Sequence, residues 1–297
     1  MMNRRNLEIG KWKGLLYVLP ALAVVALFVV YPLLRAFLMS FYTKYKFSTD
    51  TVLSYGVNNY TYIFGDSVFR KALSNTFIYV IFVVPSSIVI SLVLAVLMNE
   101  KIRLRGFFQT VYFLPYVTSV VAMGIVFGWL FHSNYGLINY FLGLLGISPV
   151  QWLNRPSTAL PALIIFSIWK SLAFNIIIFL AGLQTIGVHY YQAARVDSAN
   201  RWRQFSRITV PLLSPIIAYA FIIGMISSFK VYAEVYALFG GKAGPANSCI
   251  TVVYYIYKQF YVNWNFGIAS AAAVILFLII LAFTVIQLRV AKRRVHY

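Results

Sequence analysis

The chain has 297 residues, of which 61% are hydrophobic and only 10% charged, and its mean hydropathy is +0.80. Soluble domains carry about a quarter charged residues, so this composition excludes a soluble enzyme and marks a multi-span membrane protein. The net charge of +19 is then read as topology, because Lys and Arg gather in loops held on the cytoplasmic side; no nucleic-acid-reading motif accompanies it.

Six apolar runs follow one another: Gly14–Leu34, Phe77–Met98, Phe107–Phe131, about 159–183, Ile208–Phe229 extending to about Leu238, and Phe266–Leu288. Each is long enough for a helix to cross the ~30 Å hydrocarbon core. The first run follows Arg4, Arg5, Lys11 and Lys13 and stays uncharged for 21 residues. A cleaved signal has a shorter apolar segment, so an uncleaved first helix is expected. Of the 10 prolines, seven (Pro20, Pro32, Pro85, Pro115, Pro161, Pro211 and Pro215) fall within or at the start of these runs. In lipid such residues are tolerated where neighbouring helices or hydroxyl side chains satisfy the freed backbone groups.

Charge sets the orientation. Fifteen of the 25 Lys and Arg lie at the two ends, in the 99–106 loop or in the 184–207 loop, against eight in the alternate loops. The remaining two, Lys170 and Lys230, lie within apolar runs. Both termini are therefore expected on the cytoplasmic side.

The alternate loops are longer and aromatic. Asn59-Tyr60-Thr61-Tyr62, Asp66, Phe69 and Asn75-Thr76 precede or open the second run, and Gly136, Asn139 and Trp152 lie between the third and fourth. After the fifth come Gly240-Gly241 and Gly244-Pro245, then Cys249–Trp264 with four tyrosines. That last segment is too short and polar to span, so an interfacial or re-entrant helix is expected, with an aromatic belt as its simplest role.

Charges inside spans are costly unless they face a cavity or a partner. Lys170 and Asn175 lie in the fourth run, Lys230 and Glu234 in the fifth. A continuous fifth helix would put Lys230 and Glu234 one turn apart, able to neutralise each other. These four residues are the candidates for a translocation path; the competing reading is a purely structural pair. The six acids are scattered, the single Cys249 permits no intrachain disulfide, and His132, His189 and His296 have no ligand spacing. No catalytic site, metal site or Walker-type phosphate loop is assembled, so ATP chemistry must come from another chain if it is used.

One polar, basic island stands out: Tyr191 to Pro215. Gln192, Ala193, Ala194 and Arg195 are mostly good helix formers, Asp197, Ser198 and Asn200 form a turn-and-cap cluster, and Arg201 to Ile208 is again helical. Trp202, Phe205 and Ile208 recur every three residues, so two short helices joined by a sharp turn are expected, with an aromatic stripe on the second. The stretch resembles the EAA cytoplasmic loop of ABC-importer permeases. Ala193, Ala194, Asp197, Ala199, Phe205, Ile208 and Pro211 match in register, while Gln192 replaces the usual glutamate and Ser198 the usual glycine.

The resemblance extends over nearly the whole chain, through the Asn-Tyr, Asp, Phe, Asn-Thr spacing and the Gly-Gly/Gly-Pro turn, to binding-protein-dependent carbohydrate importers of the maltose and glycerol-phosphate type. It implies an all-α polytopic membrane protein with the type I ABC importer permease fold, a single permease domain of six transmembrane helices in a bacterial plasma membrane. It implies no cofactor on this chain, with ATP-Mg bound by two separate ATPase subunits. A second permease and an extracellular solute-binding protein complete the assembly, which moves a sugar or related polar solute by alternating access. Gln192, Ala193, Ala194, Asp197, Ser198, Ala199, Arg201, Trp202 and Phe205 would then couple the chain to the ATPase. A stand-alone secondary transporter or channel is the alternative; an intramembrane enzyme would lack any motif.

Overall fold

A computed structural model of the chain describes residues 16–46, 49, 51–99 and 105–294. The amino-terminal basic cluster, Glu8, Asp50, Glu100, Lys101, Arg103 and His296 lie outside them. The elements in order are α1 (Leu16–Met39), the strands β1 (Tyr42–Lys46) and β2 (Thr51–Tyr55), α2 (Asn58–Gly65), α3 (Ser67–Asn99), α4 (Arg105–Val117), α5 (Val120–Leu130), α6 (Leu137–Leu144) and α7 (Pro156–Thr185). There follow α8 (Val188–Val196), α9 (Arg201–Leu212), α10 (Ser214–Phe229), α11 (Ala233–Leu238), α12 (Val252–Tyr257) and α13 (Phe266–Arg294).

Four helices, α1, α3, α7 and α13, are individually long and apolar enough to cross a membrane. The third and fifth apolar runs are bent pairs: α4 and α5 meet at 112°, α9 and α10 at 67°. Counted as one span each, they complete the six. Both bends have a local cause. Pro115 lies one turn before the first, where Ser119 is extended at ψ 133°; Pro211 and Pro215 straddle the second and remove two backbone donors.

The fifth run does not continue to Leu238 as one helix. It stops at Phe229, Lys230 caps it, and the chain restarts as α11 after Tyr232 at φ −145°. A short antiparallel hairpin, β1 with β2, is an addition to the helical plan.

The described chain falls into two compact units: the described residues up to Gly65 with Ile256–Ile275, and Asp66–Tyr255 with the described residues from Leu276. In the first, buried Asn59 donates to the carbonyls of Ser40 and Tyr42, both at 2.9 Å, tying α2 to the end of α1 and the start of the hairpin. A Cβ on Gly267 would run into the same Tyr42 carbonyl and Asn59 amide, so the first turn of α13 can approach them this closely because that residue is glycine.

In the second unit α3 and α7 share the largest interface. Glycines set two other close approaches. A Cβ on Gly182 would collide with Ile216 and Leu213, and one on Gly124 would stand 2.6 Å from the Ala237 Cβ. Hence α10 lies directly on α7, and α11 on α5. Phe77, Phe229 and Phe283 bring α3, α10 and α13 together, with ring centroids 5.5–6.0 Å apart.

Candidate functional site: an exposed elbow and a charged pair

The polar island folds into the two helices expected of it. In α8 the helix ends at Val196, and Ser198 turns the chain at φ +53°. Left-handed backbone costs a non-glycine residue about 1 kcal/mol or more, a cost a glycine at this position would not carry. Asn200 then caps α9 by accepting the Arg203 amide at 2.8 Å, and Gln204 Nε2 donates to the Ala199 carbonyl at 2.8 Å.

The two arms are joined at their base. The hydroxyls of Tyr191 and buried Thr209 lie 3.0 Å apart, linking α8 to the point where α9 runs toward the bend. Residues Phe205–Thr209 form a π-turn, so the stripe is re-aimed just before the span. The Trp202 and Phe205 rings meet at a tilt of 35° with centroids 5.6 Å apart, and Trp202 is 71% exposed. No residue of α8 is buried. Ala193 is exposed and Ala194 and Ala199 half-buried, while Gln192, Asp197, Ser198 and Arg201 face outward.

Along the fourth span and just past the end of the fifth, the structure re-pairs the charges. Lys170 Nζ meets Glu234 Oε1 at 2.6 Å, with the side chains 31% and 18% exposed. Lys230 does not share a helix face with Glu234, because the helix has already ended; it is exposed at the carboxyl end of α10. The pair therefore ties α7 to α11 across two elements. Asn175 is buried and donates to the Ser87 hydroxyl at 3.4 Å, between α7 and α3.

At the other end of the second unit, residues singled out only by spacing prove to be staples. Asn75 Nδ2 donates to the carbonyls of Ser248 and Ile250, both at 2.9 Å. Thr76 Oγ1 accepts the Val252 amide at 3.0 Å, and Asp66 accepts both the Val68 amide and the Tyr255 hydroxyl. The glycine-rich turn they hold is left-handed at Gly240, Gly241 and Gly244. Asn139 binds Ser133, Val150 and the Trp152 ring nitrogen in the same manner. Tyr254 and Tyr255 are buried, so α12 is more than a belt of aromatic side chains. In the sequence these residues stand only as family markers; an asparagine at the start of an apolar run was the signal present there for their role.

A bundle of long apolar helices carrying an exposed, basic elbow is the build of a membrane transport component. The chain belongs to the family of binding-protein-dependent transport system inner membrane components, whose model matches residues 87–296. It is similar to the lactose transport system permease protein LacF of Rhizobium radiobacter, at 34% identity over 98% of this chain and 97% of that one. It is also similar to the trehalose/maltose transport system permease protein MalF of Thermococcus litoralis, at 31% identity over 95% and 94%. Among solved structures, its fold matches a chain of a bacterial ABC transporter involved in import of the acidic polysaccharide alginate. That match has a TM-score of 0.81 and 24% identity, and covers 98% of this chain and 99% of the other.

Proposed function

We propose that this chain forms half of the translocation pathway of an ATP-driven importer for a sugar or related hydroxyl-rich solute. The elbow at 184–207 lies on the cytoplasmic side with both termini, in a bacterial plasma membrane. Its partners are two ATPase subunits, a second permease and an extracellular solute-binding protein that delivers the solute. The observation that carries this reading is the elbow itself. It matches the EAA pattern in register, stands clear of the bundle, and runs through a π-turn and two prolines into a spanning helix.

Closure of the ATPases pulls the seated elbow, and the tie between Tyr191 and Thr209 makes α8 and α9 move together. The 67° bend at Pro211–Pro215 passes that movement to α10. Further along, α10 leads to the α11 break, where Glu234 holds Lys170. The pair lines the path and offers a solute both donors and an acceptor oxygen, with Lys230 at its edge; Asn175 clamps α3 to α7 behind it. ATP-Mg binds the partner subunits, and this chain supplies the mechanical link to them and its half of the path. The names of the sugar-transport relatives support the solute class.

The test is purification of the full chain from its native membrane in mild detergent. Co-purification of an ATPase subunit and ATP-dependent solute uptake by the reconstituted complex are expected. ATP-independent uptake by the chain alone would refute the reading in favour of a secondary transporter.

A further inference from the structure

We infer that the surface receiving this elbow has an apolar floor and an acidic rim, with no cation opposite Gln192. The inference rests on the docking reading above and adds the chemistry of the partner's groove. On α8, Val188, Gln192 and Val196 recur every four residues and so share one helix face. Val188 is 67% and Val196 85% exposed, with Gln192 exposed between them. Tyr191, on a different face, is taken up by its bond to Thr209. The outward stripe is thus apolar at both ends and uncharged in the middle, and exposed Trp202 on α9 extends the apolar area.

Around that stripe the charge is nearly all of one sign. Arg195, Arg203 and Arg207 are exposed, and Asp197 is the only acid between 184 and 209. Burying two exposed valines and a tryptophan is favourable by area, but a neutral or basic groove would strand or repel the arginines at its edge. Carboxylates at the rim remove that cost. A cation at its centre would lose hydration against an uncharged amide and stand beside Arg195, exposed one turn on from Gln192, so a neutral hydrogen-bond partner suits that position better.

Anionic lipid headgroups offer the arginines the same charge, so the experiment separates the two. The full chain in nanodiscs of phosphatidylcholine alone is titrated with the ATPase subunit that co-purifies with it. Raising salt from about 0.05 M to about 0.5 M is expected to weaken the dissociation constant about tenfold. Arg195→Gln combined with Arg203→Gln should weaken it about tenfold at low salt and flatten the salt dependence, with thermal unfolding unchanged. Gln192→Glu should bind no tighter than the natural chain.

A salt-independent affinity overturns the inference. So does a severalfold gain from Gln192→Glu, which would place a cation opposite, or an arginine effect seen only after phosphatidylglycerol is added, which would assign these side chains to lipid. Absence of any ATPase binding at low salt is a different failure: it removes the docking reading itself, and this inference with it.

Discussion

The two ends of the Asp66–Tyr255 unit solve the same problem in opposite ways. Both contain backbone that departs from regular helix, with left-handed residues at Ser198 in the elbow and at Gly240, Gly241, Gly244, Ala246 and Asn247 in the loop before α12. The loop is packed inward. Cys249, Ile250 and Thr251 are fully buried, and Asn75, Thr76 and Asp66 reach from α3 and its cap to satisfy the backbone and side chains there. Buried polar backbone must be paired, and here the side chains reaching from α3 add to turn bonds within the loop itself, such as Cys249 N–H to the Ala243 carbonyl. The elbow keeps Val188, Val196 and Trp202 outside, and its ties include the Asn200 cap, the Gln204–Ala199 bond and the Tyr191–Thr209 link. Irregular backbone closed by its own side chains is finished structure; irregular backbone offering apolar surface is unfinished until another molecule covers it.

The harshest way to break this contrast is to put bulk on the exposed first arm of the elbow. Ala193→Trp should leave expression and membrane insertion intact yet abolish transport and ATP-hydrolysis stimulation, measured in proteoliposomes. Normal transport by that variant would remove the docking role. At the opposite end, Asn75→Ala should act on stability instead. It leaves the Ser248 and Ile250 carbonyls without their donor, at a cost of about 3 kcal/mol in thermal or denaturant unfolding. A variant as stable as the natural chain would show that the loop is not held from α3.

A smaller effect tests whether the elbow moves as one piece. Tyr191→Phe removes the hydroxyl contact, worth about 1 kcal/mol, and Thr209→Val removes it together with a longer 3.4 Å bond to the Gln204 carbonyl. The double variant should therefore lose no more transport per ATP than Thr209→Val alone. Additive losses would mean that the two residues act separately. The smallest expected signal comes from Cys249. Burial pushes its thiol up to about 12 from an ordinary 9.0. Because the thiolate is the reactive form, its fraction at neutral pH falls about a thousandfold. Maleimide should therefore leave the folded protein unlabelled near pH 7 and label it after unfolding. Rapid labelling of the folded chain would show that the loop opens.

Much of this arrangement was legible before any coordinates. The apolar runs were, because a ~30 Å apolar slab demands long uninterrupted stretches. So was the elbow, because its caps and helix formers act within a few residues of one another. The 42–55 hairpin had a local signal too, in the β-branched and aromatic alternation of Tyr42-Thr43-Lys44-Tyr45 and Thr51-Val52-Leu53-Ser54-Tyr55, but its small size hid it among helices. The charge pairing was not legible. Nothing in Phe229-Lys230-Val231-Tyr232 announces a helix end, since no glycine or proline stands there, and an unbroken helix would have joined Lys230 to Glu234.

Residue order alone decided what acts over short range or against the bilayer as a whole: the number and length of the apolar runs, the turn at Ser198 and the basic character of the elbow. Tertiary packing decided which distant groups meet. It joined Lys170 to Glu234 across 64 positions and Asn75 to Ile250 across 175. Such partners are selected by how closely helices approach, and that depends on glycines such as Gly124 and Gly182 meeting particular side chains of another helix, which no local pattern encodes.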